Sequence, residues 1–355
     1  MPDGAREGTP PPTAPRGAGA WSAGAEGLVE SVPNFSEGRR AEVVEEVVAA
    51  FISVPEVLLL DRSSDPDHNR SVVTLAGPGP ALVEAALSGA AACARLIDLT
   101  RHQGVHPRMG ALDVLPFVPL DPTCDCVPLA LEAGRRLVEE VGVPVYLYGG
   151  AARVPERAEL PSVRSGGFEE LVLSAERDPA RAPDLGGPGL HPTAGATAVG
   201  VRPFLIAYNV NLATRDVSLA KGIARAVRAR DGGLPGVRAL GLPLERRRMT
   251  QVSMNLLDYR RTGLATVFAA VAGLAARAGV EVVESQVVGL VPEAALAGVD
   301  LERLKLHGFS RDLMVEERIR RAMATRTSPP RQQGGFSKSA LQADTPKSSS
   351  GRGDR

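Results

Sequence analysis

The sequence predicts an α+β protein built of two units, each with the order βαββαβ. Three observations predict it. Apolar runs of strand length alternate with segments whose apolar residues recur every three or four positions. In each half two strand runs stand side by side with only a turn between them. The order strand, helix, strand, strand, helix, strand then occurs on both sides of a segment rich in Gly and Pro.

In the first half "LVESVPNF" reads as a strand. "SEGRRAEVVEEVVAAFIS" is a helix, with Ser36 placed as its N-cap. "EVLLLDRSS" is a continuous apolar run and hence a buried strand. The turn "SDPDH" leads to a second strand, "NRSVVTLAG". "GPGP" introduces a long helix over about 81–99, and "ALDVLPFVPL" is the next strand. A helix over 128–141 and the strand "VPVYLYG" extend the unit.

The second half repeats the order. "RPFLIAYNVNL" is a strand, "DVSLAKGIARAVRAR" a helix, and "VRALGLPLE" and "MTQVSMNLLD" two strands. "GLATVFAAVAGLAARAGV" is a helix and "EVVESQVVGLVP" a strand. This double split-βαβ pattern is ferredoxin-like. Each sheet carries helices on one face and leaves the other face for a partner, so a cleft between two facing sheets is the natural ligand site. The expected organisation is a disordered leader (1–27), an N-terminal subdomain (28–199), a C-terminal subdomain (200–324) and a disordered tail (325–355). The segment 176–200, with five glycines and four prolines, is expected to be irregular and functional.

Composition excludes several classes. The 41 basic and 41 acidic residues balance, so no long basic face for nucleic acid is expected. No apolar run is long enough for a membrane span. The opening residues lack the apolar stretch of a secretory signal, and with only three cysteines the chain fits a reducing cytoplasm. Cys124 and Cys126 form one C-x-C, and the second pair of a structural zinc site is missing.

The chemistry concentrates in "RHQGVHPRMGALDVLPFVPL". His102 and His106 stand four apart, but Gly104 and Pro107 break the helix that would make this a metal-binding face. The other reading is proton transfer, because an imidazole titrates near neutral pH. Arg108 suits a carboxylate, Asp113 an imidazole or amine, and Gly110 a close approach of ligand to backbone. His68, Asn69 and Arg70 are either turn and edge chemistry or a second wall of the site. On residue types alone these alternatives stay open.

Seven segments in order resemble one family. They are "VESVPNFSEGR", "HQGVHPRMGALDVLPFVPL", "VPVYLYGGAAR", "LPSVRSGGFEEL", "GATAVGVRPFLIAYNVNL", "QVSMNLLD" and "SQVVGLVP", and the family is glutamate formimidoyltransferase. The resemblance implies two facing ferredoxin-like subdomains. It implies transfer of a formimino group from N-formimino-L-glutamate to N5 of tetrahydrofolate, the co-substrate, with no metal, in the cytoplasm and as a homodimer. Formyl transfer between 5-formyltetrahydrofolate and glutamate, or folate binding without turnover, are the alternatives. The proton-transfer role falls on His106, and substrate binding on Arg108, Asp113, Asn69 and Arg70. The folate segment falls on Gly186, Gly187, Pro188, Gly189, Leu190, His191, Pro192, Thr193, Ala194 and Gly195. The cyclodeaminase domain of the bifunctional relatives is not expected within these 355 residues.

Overall fold

The computed structural model describes residues 27–327 apart from Pro122. Nearly all of the expected leader, and the expected tail beyond residue 327, lie outside the described residues. It is a mixed α+β structure with two sheets. The first half supplies β1 (Leu28–Ser31), β2 (Asn34–Phe35), α1 (Ala41–Phe51), β3 (Leu58–Asp65), β4 (Arg70–Pro78), α2 (Gly79–Leu96), β5 (Leu112–Pro119), α3 (Val127–Arg136), β6 (Val145–Gly149), α4 (Leu160–Val163), α5 (Gly167–Ser174) and β7 (Thr197–Val201). The second supplies β8 (Ile206–Leu212), α6 (Val217–Val227), β9 (Val237–Leu244), β10 (Met249–Leu256), α7 (Leu264–Arg277), β11 (Val282–Val288) and α8 (Val315–Thr327).

In the first sheet β1 and β2 are two pieces of one strand, lying antiparallel between β4 and β5. The break falls at Pro33, which has no N–H to give to the ladder. Its carbonyl still accepts from Val73 N at 3.0 Å. β3 pairs with the far side of β4. At the opposite edge β7 runs parallel to β5, and β6 parallel to β7. The second sheet is antiparallel throughout, in the order β11-β8-β10-β9. Pro243 sits near the end of β9, an edge strand, where a missing donor costs least.

Alternation along the strands divides the faces. On one face of the first sheet Phe35, Val73, Leu115, Phe117 and Leu147 pack against Val47, Phe51, Leu82 and Ala130 of α1, α2 and α3. Each fully buried Val, Leu or Phe among them contributes about 1.5–3 kcal/mol. The other face is covered in two parts. Val114, Tyr146, Tyr148 and Ala198 meet Val163 of α4 and Leu171 of α5. Leu28, Leu58, Leu60 and Val118 join a core shared with the second half, including Val291, Val315 and Ile319. There Arg318 Nη1 donates to Leu60 O at 3.2 Å, and Arg238 of β9 pairs with Glu159 just ahead of α4. Among the described residues no helix is long and apolar enough to cross a membrane.

Four expectations are corrected. Part of the segment 176–200 is strand: "TAVGV" is β7, a short run made secure by neighbours on both edges. The tail expected from 325 begins inside α8, whose earlier residues pack on β3. The strand expected from 202 begins at Ile206. Ser36 does not cap α1. Its hydroxyl donates to Gly110 O at 2.8 Å, and the N–H groups of Gly38, Arg39 and Arg40, just ahead of the helix, donate to Glu37 Oε1.

Candidate active site

The loop between α2 and β5 carries His102, His106 and Arg108. It lies against the β3–β4 turn and the loop leading into α1. Two local features aim the side chains. The first is a bulge on β5: Asn34 pairs with Val114 and Phe35 with Leu112, so Asp113 is the extra residue. A bulge re-aims one side chain, and here it turns Asp113 towards Arg70 and Arg164. The second is Asn69, held at φ 49°, a left-handed conformation that asparagine tolerates better than most residues. Its amide accepts from Gly38 N at 2.9 Å and donates to Gln103 O at 2.9 Å, which ties three loops together.

His102 and His106 differ in what their ring nitrogens do. Arg108 Nε donates to His102 Nδ1 at 2.9 Å. His102 Nε2 therefore carries the proton and donates to Asn69 O at 3.0 Å. Both nitrogens are spent, so His102 offers no lone pair to a metal or a substrate. Burial, with Arg108 adding to it against the bond to Asn69, holds this imidazole below its ordinary pKa. His106 Nδ1 lies 2.7 Å from Pro107 O, a contact that puts the proton on Nδ1. Its Nε2 lone pair has no partner among the described residues. Burial first, then the charge of Arg70, lowers the His106 pKa, so the ring is neutral and basic at neutral pH. The His68 ring stands edge-on at 5.9 Å, and its Nδ1 lies 2.7 Å from Asp65 Oδ2.

Asp113 is fully buried. Its Oδ2 meets Arg70 Nη1 at 2.7 Å and Arg164 Nη2 at 2.6 Å, and its Oδ1 accepts from Met109 N at 2.8 Å. Burial pushes this carboxyl up, but Arg164, Arg70 and the Met109 N–H outweigh it and hold the pKa below the ordinary value. Arg70 also bonds Asn34 Oδ1, through Nε at 3.2 Å and Nη2 at 2.9 Å. One carboxylate thus stands between two guanidiniums, and one positive charge is left over beside His106. Arg164 Nε is buried without a partner among the described residues. Arg108 is engaged elsewhere: it grips Glu169 of α5 at 2.7 and 3.0 Å. A substrate carboxylate at Arg108 has to displace Glu169, whose side chain is 67% exposed.

The glycine-rich segment adjoins this loop at its C-terminal end. Ala111 N donates to Ala194 O at 2.8 Å, Ala196 N to Met109 O at 3.0 Å, and Leu99 N to Thr193 O at 2.8 Å. The approach is close enough to demand glycine. A Cβ on Gly110 would stand 2.1 Å from Ala196 O, and one on Gly195 (φ +71°) 2.1 Å from Met109 O. His191 Nδ1 accepts from Ala194 N at 3.0 Å and closes the turn. Residues 186–188 are exposed.

Two family models divide the chain between them. That of the formiminotransferase domain, N-terminal subdomain, matches residues 28–202, and that of the formiminotransferase domain matches 207–321. The chain belongs to the formiminotransferase family. It is 46% identical over 298 residues to a glutamate formimidoyltransferase of Thermoplasma acidophilum, which covers 83% of this chain and 98% of that one. It is 43% identical over 287 residues to a glutamate formimidoyltransferase of Streptococcus pyogenes, covering 79% and 95%. The formimidoyltransferase-cyclodeaminase of Sus scrofa is 46% identical over 276 residues, 76% of this chain and 51% of its own length.

In this formiminotransferase the structure brings His106, Arg70, Asp113 and Asn69 together around one loop, with Gly195 behind it. Sequence reading missed Arg164, Asn34, Glu37 and Glu169. "LPSVRSGGFEEL" contained two of these, but nothing in its pattern says that Arg164 reaches a strand fifty-one positions earlier. The polar start of β4, "NRS", was the available hint that a charged partner waited on the sheet.

Proposed function

We infer that the protein transfers the formimino group of N-formimino-L-glutamate to N5 of tetrahydrofolate, giving 5-formiminotetrahydrofolate and L-glutamate. Similarity over nearly the whole length of two proteins named glutamate formimidoyltransferase carries this reading. The chemistry of His106 agrees with it. N5 attacks the formimino carbon of the amidinium group, a C–N bond forms, and the C=N π pair moves onto the formimino nitrogen. His106 Nε2 takes the N5 proton. In the tetrahedral intermediate the formimino nitrogen's lone pair re-forms C=N as the bond from that carbon to the glutamate nitrogen breaks, and the departing amine takes the proton back from His106. One imidazole serves both steps because its pKa is low enough to leave it unprotonated at the start.

In this reading Arg70 and Arg164 seat a glutamate carboxylate. What supports it is the uncompensated positive charge of the Arg70–Asp113–Arg164 clamp. Asp113 holds the two guanidiniums; Asn69 and Arg108 shape the loop rather than touch substrate. The segment 186–195 lies against folate; its contact with the histidine loop supports that placement. Holding two large substrates in register supplies much of the remaining rate. We also read the halves as ferredoxin-like subdomains divided in the stretch between β7 and β8. The β11-β8-β10-β9 order, and the β3-β4-β1/β2-β5 part of the first sheet, support this. A homodimer belongs to the same reading, on the family resemblance, and sedimentation velocity tests it.

The experiment is turnover of N-formimino-L-glutamate with tetrahydrofolate by the purified protein, with product identified by mass. Formation of 5-formiminotetrahydrofolate is the expected result. Activity only with 5-formyltetrahydrofolate and glutamate would replace the formimino reading with the formyl one. Folate binding without either activity would replace both.

A further inference from the structure

The reaction above leaves one ring of the histidine loop without a task. His102 lies in the irregular backbone between α2 and β5. The two ends of that stretch are fixed: Leu99 N donates to Thr193 O at 2.8 Å, and Met109 N to Asp113 Oδ1 at 2.8 Å. Between them Val105 is 76% exposed, and its N–H stands 3.4 Å from Asp67 O. The His106 ring bonds the carbonyl of Pro107, its own neighbour, which fixes the ring relative to the loop but not the loop relative to the sheet. A chain of side-chain bonds through His102 does that. Glu169 of α5 grips the Arg108 guanidinium at 2.7 and 3.0 Å. Arg108 Nε donates to His102 Nδ1 at 2.9 Å, and His102 Nε2 to Asn69 O at 3.0 Å. Asn69 in turn accepts from Gly38 N and donates to Gln103 O, both at 2.9 Å. The loop sits close on the turn it is tied to, since a Cβ on Gly104 would stand 2.4 Å from His68 O. His102 thus joins α5 to the β3–β4 turn through the loop that carries His106.

We propose that His102 is a positioning residue: as a neutral imidazole protonated on Nε2, it holds the loop that aims His106 Nε2 at N5 of the folate. The proposal rests on the transfer reading above. Its chemistry follows from the two partners. A guanidinium can only donate, so Nδ1 keeps its lone pair; a carbonyl oxygen can only accept, so Nε2 carries the hydrogen. A second proton on the ring destroys the arrangement, because it sets N–H against N–H across 2.9 Å and one positive charge beside another. The charged groups that face His102 are Arg108 on its own loop, Glu37 and Arg39 on the loop ahead of α1, and Glu169 of α5. On the β3–β4 turn His68 pairs with Asp65 and faces His106 instead. Burial first, then Arg108 against the bond to Asn69, keeps the His102 pKa below its ordinary value, so the ring is neutral at neutral pH. Two imidazoles must therefore be neutral at once, one to take the proton and one to hold the first in place. Both are neutral above their folded pKa values, and kcat is lost twice over as pH falls through them.

Two substitutions separate the ring's bonds from its bulk. Phenylalanine keeps the shape and offers neither bond. Glutamine offers one acceptor and one donor, and its amide gains no proton in this pH range. His102→Phe should lower kcat by about 10²-fold, the cost of a misplacement of about 1 Å, with KM for N-formimino-L-glutamate nearly unchanged. His102→Gln should recover most of that loss. On the acid side the slope of log kcat against pH should approach about two in wild type and about one in His102→Gln. A wild-type slope of about one overturns the proposal. So does a His102→Phe protein with wild-type kcat, or a His102→Gln protein as slow as His102→Phe. If His102→Phe melts early, the wild-type slope and His102→Gln decide. The ring is also read without turnover. Long-range proton–nitrogen NMR at pH 8, with the His102 signals identified by their loss in His102→Gln, should show a bare Nδ1 and a protonated Nε2; the reverse tautomer overturns the proposal. Wild-type protein without formimino transfer overturns the parent reading whatever the tautomer. Transfer with the wrong tautomer or slope overturns the role of His102 alone.

Discussion

Replacing Asp113 with Asn keeps the shape of the side chain and removes its charge. The consequence follows from what surrounds it. Asp113 is fully buried, 2.7 Å from Arg70 and 2.6 Å from Arg164, whose own side chains are 9% and 14% exposed. Breaking a buried ion pair by removing one partner costs about 3–5 kcal/mol, because the remaining charge is stranded. Here two guanidiniums would lose their shared counter-ion. At about 2–4 °C per kcal/mol for a domain of 150–250 residues, the melting temperature should fall by roughly 10 °C. The pH dependence supplies a second signature. The Asp113 pKa is held below its ordinary value in the folded state, so its contribution is present above the unfolded pKa and is lost as pH falls through the folded one. Thermal melts followed by circular dichroism between pH 3 and 7 would show the wild type approaching the variant at the acid end. The double variant Asp113→Asn, Arg164→Gln should regain part of the loss, since one stranded charge is gone. A single variant that melts within about 2 °C of wild type at pH 7 would refute the clamp as the support of this site.

Three more outcomes are expected. The kcat profile should have its acid limb below pH 6.5, because burial and Arg70 lower the His106 pKa and protonation removes the base as pH falls; a limb well above 6.5 contradicts the assignment. Arg164→Gln should raise KM for N-formimino-L-glutamate by about tenfold or more while 5-formyltetrahydrofolate affinity is kept, since one charge-assisted bond is worth about 1.5–3 kcal/mol. Glu30→Gln should melt higher relative to wild type at pH 8 than at pH 5. The folded pKa of Glu30 is raised to about 7, so wild-type stability is lost as pH rises towards that value, and the variant is free of this loss; equal differences at both pH values would count against it.

The regular elements were legible because their signals are local. Val43, Val47 and Phe51 repeat at helical spacing, and all three are buried. "LLL" of β3 and "VLPFV" of β5 are continuous apolar runs, as strands in a covered sheet must be. β7 was hidden because five small residues behind a glycine-rich stretch carry no strand period; their pairing comes from β5 and β6. Pro33 showed in the sequence, but that it splits one strand without ending the sheet depends on β4 and β5 spanning the gap.

The site divides the same way. His106, Arg70 and Asp113 were visible as residue types in polar surroundings. The distinction between the two histidines was not, since it depends on Arg108 spending the Nδ1 lone pair of His102. Nor did spacing reveal the bulge that turns Asp113 towards Arg70, because alternation alone would have sent it to the helix-covered face. Arg164 and Glu169 reach the site from α4, α5 and their junction, elements too short to show a period.

The most direct test of the central claim compares His106→Gln with wild type at saturating N-formimino-L-glutamate and tetrahydrofolate. Loss of the one positioned proton carrier should lower kcat by about 10²–10⁴-fold, while 5-formyltetrahydrofolate still binds with wild-type affinity. A His106→Gln protein with near-wild-type kcat, beside a His68→Gln protein that has lost it, would show that the proton moves through the other ring of the pair.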